Sequence, residues 1–578
     1  MRNRNQWWFA LAAAVLTGPL AACGELDVVN PNAPERERAF SDPATIIASA
    51  AGTMKTWVNT RNAGDPALTL TAMADHVTMS WNNWNARYYS SYGVECPNHC
   101  GWVNSTATQL GTQVQPYWYG MYSVLSSAND ALFAIRKSAN PPDLGADAER
   151  VEAIAQMAQA MAHAWIALNY DQGFIVLEDT DPTTLTLSSR DDLRDKAMEL
   201  FEAAYALANG ATFNTGSNWF GTANSPIYSS KQLTKIIRTM QAELLASYPR
   251  NSEENAQVNW GTVATLASQG ISSAVNAPAF DFDAFVDQNF DFFSSFHNWA
   301  NDYSTTRIDT RVARLVATNQ VDPWPGGTGN PAPNAGIYGV DARMGDGCFD
   351  ADQATPDLLG LGECQATANS GTDFMWSPVA IFIPGRGSFH QSNIGYIRDH
   401  CLSAFFPDCP TGEGPLPIFS RTYNDLLWAE GLIRSNGSRT TAAQLINNSR
   451  VGRGNLPPLT GTESDVDLLK ALNYEYEIET LHTSGGADFF FRRRLTSSAQ
   501  VPLPEAHNRL WPDTPRHMPV PAKDLLLLRQ EIYTFGGPTN PGGLAPDADG
   551  GSRVRGVREI YADYEKSARA ATKARRKQ

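Results

Sequence analysis

Val151-Glu152-Ala153-Ile154-Ala155-Gln156-Met157-Ala158-Gln159-Ala160-Met161-Ala162-His163-Ala164-Trp165-Ile166-Ala167-Leu168 is the stretch whose spacing decides the fold class. Val151, Ile154, Ala158, Met161, Trp165 and Leu168 recur at steps of three and four, which sets them along one face of an α-helix. The same spacing returns further along the chain. Asp191 to Ala208 carries it on Leu193, Ala197, Leu200, Phe201, Ala204 and Leu207. Lys231 to Tyr248 carries it on Leu233, Ile236, Ile237, Met240, Leu244 and Leu245. Further helices are predicted over Tyr117–Lys137, Arg421–Arg434, Thr441–Asn448 and Asp465–His482. The helices arrive in pairs joined by short or medium loops, as in helix-turn-helix stacks, although no 34-residue period shows in the sequence. The predicted class is mainly α.

The remainder of the chain is read against that scaffold. Between about 270 and 415 Gly, Pro, Asn and Asp become dense, as in Pro323-Trp324-Pro325-Gly326-Gly327-Thr328-Gly329-Asn330-Pro331. This predicts a loop-rich variable insertion between the early and late helices, a place where binding surfaces tend to sit. The full chain has 578 residues, enough for a large core, and only 18% are charged while 10% are aromatic, which excludes disorder over most of its length. Its net charge of −15 lacks the basic footprint of a nucleic-acid binder. After the first twenty-odd positions no apolar run is long enough to span a bilayer.

Those first positions read as an address. Arg2 and Arg4 precede an apolar stretch from Trp7 to Leu16, and then Leu20-Ala21-Ala22-Cys23. A positive start, a short apolar core and small residues before a cut site make a secretory signal over 1–22. Leu-Ala-Ala-Cys is similar to a bacterial lipobox, so Cys23 is expected to carry lipid and to hold the body at a membrane surface. Residues 23–40 would be the lipidated tether, because Leu26-Asp27-Val28-Val29-Asn30-Pro31-Asn32-Ala33-Pro34 is polar and its prolines favour extended backbone. Residues 41–552 are read as one α-helical domain containing the insertion, and 553–578 as a basic tail. The tail has nine basic and three acidic residues, against a sum of −23 for residues 24 to 552.

Six further cysteines, Cys96, Cys100, Cys348, Cys364, Cys401 and Cys409, are an even number in an exported chain. Closeness along the sequence favours the three sequential disulfides over the other pairings. Cys96-Pro-Asn-His-Cys100 lacks the second ligand pair that a zinc site requires, and no metal or cofactor is expected. No His-Glu-x-x-His, Gly-x-Ser-x-Gly or phosphate loop occurs, and no catalytic residue is nominated. The positive signal is aromatic. Trp81, Asn82, Asn83, Trp84, Asn85, Arg87, Tyr88, Tyr89 and Tyr92 fall within twelve residues, with Trp102 just beyond and Asn298-Trp299 as a second wall. Ring faces beside amide and guanidinium donors suit a sugar, with its C–H faces and rim of hydroxyls, and equally an aromatic or peptide ligand.

In order along the chain, several segments resemble the SusD/RagB family of outer-membrane nutrient-binding lipoproteins. The lipobox is followed by Leu26-Asp27-Val28-x-Asn30-Pro31-Asn32, and Trp118-Tyr119-Gly120-Met121-Tyr122 with Ala128-Asn129 is similar to the family's first long helix. Tyr170-Asp171-Gln172-Gly173-Phe174 closes the next helix. Arg421-x-x-Asn424-Asp425-Leu426-Leu427-Trp428-Ala429-Glu430, Ile446-Asn447-x-x-Arg450 with Arg453, and Arg516-His517-Met518-Pro519-Val520-Pro521-x-x-Asp524-Leu525 follow in the family's order. Two family segments depart: one is altered to Tyr474-Glu475-Tyr476-Glu477 and Ser484-Gly485-Gly486-Ala487-Asp488 followed by Arg492-Arg493-Arg494, and the family's Gln-Asn-Pro-Gly-Tyr ending is replaced by Gly536-Gly537 and the basic tail. The resemblance implies a tetratricopeptide-like helix-pair scaffold with a loop-rich decoration. It also implies a non-catalytic protein, lipid-anchored at the outer membrane and facing outward. Such a protein captures oligosaccharide or peptide and delivers it to a SusC-like TonB-dependent transporter. Two other readings remain: a surface-anchored polysaccharide hydrolase, and a structural lid of the transporter without its own ligand.

Overall fold

The computed structural model describes residues 41–79, 86–90, 100–222, 224–273, 279–287, 291–300, 306–317, 340–344, 372–376, 392, 394–403, 411–481, 485–497, 509–511 and 513–536. The signal segment, Cys23, the tether, the 323–331 run and the basic tail lie outside them. Helices α1 (Pro43–Arg61) and α2 (Gly64–Met73) lead into strand β1 (Val77–Met79) and the short α3 (Ala86–Ser90). Then come α4 (Pro116–Arg136), α5 (Ala148–Asn169), the two-residue strands β2 (Gln172–Gly173) and β3 (Ser188–Ser189), α6 (Arg190–Gly210) and α7 (Ser230–Ser247). Helix α4 packs on α5, α5 on α6 and α6 on α7, while α1 lies across α4 and α5. Mainly α and built of packed helix pairs, the architecture agrees with the expectation, and α4 to α7 begin and end within a few residues of the predicted limits.

Their starts are written in the sequence. Ser189 and Asp192 form a reciprocal capping box on α6, and Ser229 and Gln232 do the same on α7. Helix α5 is buried over nearly its whole length. Its apolar face meets α4 and α1, and a second face rich in alanine admits α6 closely. Polar residues on it are paired: Gln159 donates to Asn129 of α4 at 2.6 Å, and His163 Nδ1 lies 2.7 Å from the carbonyl of Gln159. Burial pushes the His163 imidazole down to about 4, so it is neutral at physiological pH.

After α8 (Ser252–Asn255) and α9 (Trp260–Ser268), the loop-rich stretch holds β4 (Phe282–Val286), α10 (Ser295–Ala300), β5 (Thr306–Ile308), α11 (Thr310–Val316), β6 (Phe374–Trp376), β7 (Ile394–Tyr396) and β8 (Gly414–Phe419). Four antiparallel two-stranded ribbons are present among the described residues: β1 with β5, β2 with β3, β4 with β8, and β6 with β7. The β1–β5 ribbon stitches the stretch to the N-terminal helices. The late scaffold is α12 (Arg421–Arg434), α13 (Arg439–Arg450), α14 (Asp465–Glu479), α15 (Ala487–Leu495) and α16 (Ala522–Leu527), with α12 packed on α9, α13 and α14.

Motif residues that mark the late helices turn out to be buried connectors. Glu430 of α12 pairs with Arg494 of α15 at 2.6 Å, and Glu477 of α14 pairs with Arg492 at 2.6 Å. Glu475 and Glu479 hold Arg343 at 2.7 and 2.9 Å, with Asp341 on its other side at 2.7 Å. Among the described residues Arg493 pairs with no carboxylate. It donates instead to the carbonyls of Leu168 at the end of α5 and Ser247 at the end of α7, where helix dipoles concentrate negative charge. Three consecutive arginines thus tie α15 to three different parts of the scaffold. Asn424 bridges α7 and α9, through Thr239 at 2.9 Å and the carbonyl of Ala267 at 2.9 Å.

These buried acids set an expected pH profile. Against the cost of burial, Arg492 and His76 hold the Glu477 carboxyl down at about 2, and Arg398, Arg453 and Arg343 hold Glu479 low in the same way. Burial pushes Glu243 up to about 7 despite Arg61, and Asp171 up to about 6. A carboxyl held low stabilises the fold above its ordinary value of 4.5 and loses that contribution as pH falls toward 2. A carboxyl held high contributes most in acid and loses its contribution as pH rises through 6 and 7. The thermal midpoint should therefore peak near about pH 5 and fall on both sides, measured by calorimetry from about pH 3 to about pH 8. A flat profile between about pH 5 and about pH 7 would refute the assignment for Glu243 and Asp171.

Candidate ligand-binding site

The β1–β5 ribbon fixes where the aromatic stretch emerges. Its register pairs Val77 with Ile308, Thr78 with Arg307 and Met79 with Thr306. Antiparallel pairing means that the chain leaves β1 toward position 80 at the same end where it enters β5 from position 305. Met79, the last described residue before the aromatic stretch, and Thr306, which holds Trp299, therefore share one ribbon end. Both feet of the 80–85 connection are held: Ser90 of α3 shares its hydroxyl with Met79, accepting from its N–H at 3.4 Å and donating to its carbonyl at 3.1 Å. On the other side Thr306 donates to the carbonyl of Trp299 at 3.0 Å, and Ser403 to that of Asn298 at 2.8 Å. Helix α10 is anchored in turn on α1, where the N–H of Phe296 donates to the carbonyl of Asn62 at 2.9 Å. Sequence reading did not single out Ser90, Thr306 or Ser403; a lone hydroxyl in a loop carries no spacing signal.

Beneath the ribbon lies a buried ionic cluster. Arg311 pairs with Asp75, and Arg492 donates to the carbonyls of Ala74 and Asp75 just before β1. His76 sits with Nε2 2.8 Å from Glu477 and Nδ1 3.6 Å from Asp488. Asp309, whose N–H donates to the carbonyl of His76 at 2.9 Å, is pushed up by burial and by Asp75 beside it. The cluster is sealed from solvent, so it positions the ribbon and has no surface to offer a ligand.

The predicted ring residues divide. Tyr88 and Trp299 are half-buried against the core and retain an accessible edge. Tyr89 is 0% exposed and Trp102 is 2% exposed, and the expectation that they stack on a ligand is corrected: both are core rings, 5.1 Å apart between centroids. Trp102 is pinned from several directions. Its indole N–H donates to the carbonyl of His517 at 2.9 Å, its backbone N–H to that of Phe535 at 2.9 Å, and Thr534 donates to its own carbonyl. Gly101 is required there, since a Cβ would stand 2.3 Å from the Gly536 oxygen. Trp81, Asn82, Asn83, Trp84, Asn85 and Tyr92 lie outside the described residues, as does the side chain of Arg87.

Of the six cysteines, Cys100 and Cys401 are described and both are disulfide-bonded. Cys96, Cys348, Cys364 and Cys409 lie outside the described residues. Among the described residues no group of three or more His, Cys, Asp or Glu is arranged to hold a metal ion. No helix among them is long and apolar enough to cross a membrane.

No family model matches the chain, and no curated protein does. Solved structures are similar to it. A SusD superfamily protein from Bacteroides vulgatus aligns over 78% of this chain and 88% of its own, at 12% identity and a TM-score of 0.50. A SusD superfamily protein from Bacteroides fragilis aligns over 85% and 98%, at 16% identity and a TM-score of 0.48. A SusD-like carbohydrate binding protein, also from Bacteroides fragilis, aligns over 78% and 86%, at 13% identity and a TM-score of 0.49. The first of these shows that the chain has the helical fold of the SusD superfamily.

Proposed function

We propose that this chain is a non-catalytic glycan-binding lipoprotein of the bacterial cell surface, which captures oligosaccharide and passes it to a TonB-dependent outer-membrane transporter. The observation that carries the reading is the β1–β5 ribbon. On a scaffold with the SusD fold, it holds Met79, after which the Trp- and Asn-rich stretch 81–92 follows in the sequence, at the same end as Thr306, which bonds the carbonyl of Trp299. Trp81, Trp84, Tyr88, Tyr92 and Trp299 would offer ring faces to sugar C–H bonds. Asn82, Asn83, Asn85 and Arg87 would meet the hydroxyls. Cys23 would carry the lipid. Binding should be weak per site, because release to the transporter must follow, and shallow extended contact fits that better than a sealed pocket. The non-catalytic reading is supported by the fate of the buried carboxylates Glu430, Glu475, Glu477 and Glu479, each committed to an arginine and closed to solvent.

The test is calorimetric titration of the soluble form, begun after Cys23, with a panel of oligosaccharides. Trp81→Ala combined with Trp84→Ala should weaken binding by about tenfold or more, the loss of roughly 1.4 kcal/mol in ring contact, with the melting temperature unchanged. Unchanged affinity would move those rings out of the site. Binding of peptides alone would change the ligand class, and new reducing ends would make the chain a hydrolase. A pull-down from gently solubilised outer membranes checks the partner: a stoichiometric TonB-dependent barrel is expected, and the barrel together with a silent ligand panel would leave only a lid.

A further inference from the structure

A second surface lies on helices α5 and α6. Where the first turns of α5 meet the last turns of α6, a groove of about 610 Å³ opens to solvent. Its floor is Ala203, Ala206, Leu207 and Gly210 of α6, and its rim carries Glu149 and Glu152 of α5. Arg136, also on the rim, is committed to Glu152 at 2.8 Å and, outside the lining, to Glu178 at 3.0 Å, so the groove's one cation is already paired and its lining carries two carboxylates. Small residues on the floor let a helix approach closely, and the rim favours a cationic one.

We propose that the groove is the docking site of this chain's own basic C-terminal segment, Arg553–Gln578. Its sequence has the matching chemistry. Val557, Ile560, Tyr561, Tyr564, Ala568 and Ala571 recur at steps of three and four, the spacing of one apolar helix face. Nine basic residues accompany them, against three acidic ones, on a chain whose preceding body is strongly negative. Reach is sufficient. The described chain ends beside the C-terminal end of α5, where Tyr533 donates to Asp171 at 2.7 Å. The groove is at the other end of that helix, whose 22 residues at about 1.5 Å each place it about 33 Å away. The sixteen residues from 537 to 552 span up to about 55 Å when extended. A tether of this kind gives an effective concentration of about 1 mM, so docking that would be negligible between separate molecules is well populated within one.

Zero-length carbodiimide cross-linking of the full chain tests this, since it joins lysine to carboxylate only in direct contact. Links from Lys566 or Lys573 to Glu149 or Glu152 are expected, and peptide mass spectrometry identifies them. The exposed Lys55–Asp291 pair serves as an internal control whose link should appear in every sample. Ala203→Lys with Ala206→Lys, two exposed helix positions, should reduce the tail links about tenfold by filling the groove with like charge, leaving the control link and the melting temperature unchanged. A mixture of ¹⁴N- and ¹⁵N-labelled chains must give links within one isotope only. Mixed-isotope links would place a second copy's tail in the groove and overturn the proposal. So would control links without tail links, or tail links that persist undiminished in the double-lysine variant. Tail links lost only when vesicles of anionic lipid are added would show docking in solution and support it.

Discussion

Arg492→Met should destabilise the protein by about 3–5 kcal/mol, the cost of stranding one partner of a buried ion pair. The guanidinium of Arg492 is sealed from solvent and makes two kinds of contact. It neutralises Glu477 at 2.6 Å, and it donates to the carbonyls of Ala74 and Asp75 at the entrance to β1. A methionine of similar length would leave the carboxylate buried with only His76 beside it, at 2.8 Å. That is the costly case for a buried ion pair: removing one partner strands the other, whereas replacing both with apolar groups is often neutral. Arg492→Met with Glu477→Met should therefore recover much of the loss. The expected readout is a large fall in melting temperature for the single variant and a partial return for the double one. A second consequence follows from position. Ala74 and Asp75 set the start of β1, so ligand affinity should fall in the single variant even at temperatures where it is folded. A single variant that melts like the parent would mean that the cluster is solvated and that Glu477 sheds its charge without cost.

The same cluster shows how the sequence carries its information. Helices α4, α5, α6, α7 and α12 were legible because each has an apolar face in step with 3.6 residues and, for α6 and α7, a capping box at the start. Helix α1 was not read, although Ile46, Ala50, Met54, Trp57 and Val58 are spaced for it. Gly52, Thr53, Thr56 and Thr60 lie among them and dilute both the propensity and the contrast between faces. The Asp42-Pro43 pair, a capping side chain followed by proline at the first turn, was the local signal that could have found it. The charged motifs behaved differently. Glu430, Glu475, Glu477 and the three arginines from 492 to 494 are of residue types that are rarely buried, yet they are the interior. No single-sequence pattern marks a buried ion pair, because the partners lie far apart in the chain and meet only once the helices have packed.

Aromatic residues carry the opposite ambiguity. A dense run of tyrosine and tryptophan between β1 and α4 looks like one recognition surface, and the structure divides it by the backbone that holds each ring. Tyr88 follows Arg87 on the short α3 and keeps an open edge, while Tyr89, one position on, turns inward to Trp102 with centroids 5.1 Å apart. Adjacent residues on a helix point about 100° apart, so one ring of such a pair is spent on the core when the other faces out. Trp102 is fixed by the segment that ends the described chain, whose place could not be foreseen from spacing since it pairs positions more than four hundred residues apart.

Trp102→Ala should accordingly behave as a core deletion and cost about 3–5 kcal/mol, the range for removing a large buried ring that leaves a cavity. Part of that loss belongs to the carbonyl of His517, which would lose the indole donor at 2.9 Å. Trp102→Phe separates the two contributions: the ring volume is mostly kept and the N–H removed, so about 1–2 kcal/mol should be lost, near the cost of one buried acceptor left unpaired. The segment from Thr514 to Gly536 should loosen in the alanine variant, because Trp102 contacts it through His517, Thr534 and Phe535. Faster amide exchange at Met518 and Val520 is the expected signature. Binding supplies the discriminating readout. At a temperature where Trp102→Phe is fully folded, its affinity for any oligosaccharide bound by the parent should be unchanged, since a ring that is 2% exposed has no face to present. A phenylalanine variant that melts like the parent and binds at least tenfold more weakly would reverse the assignment, returning Trp102 to the ligand and requiring the His517 contact to open on binding.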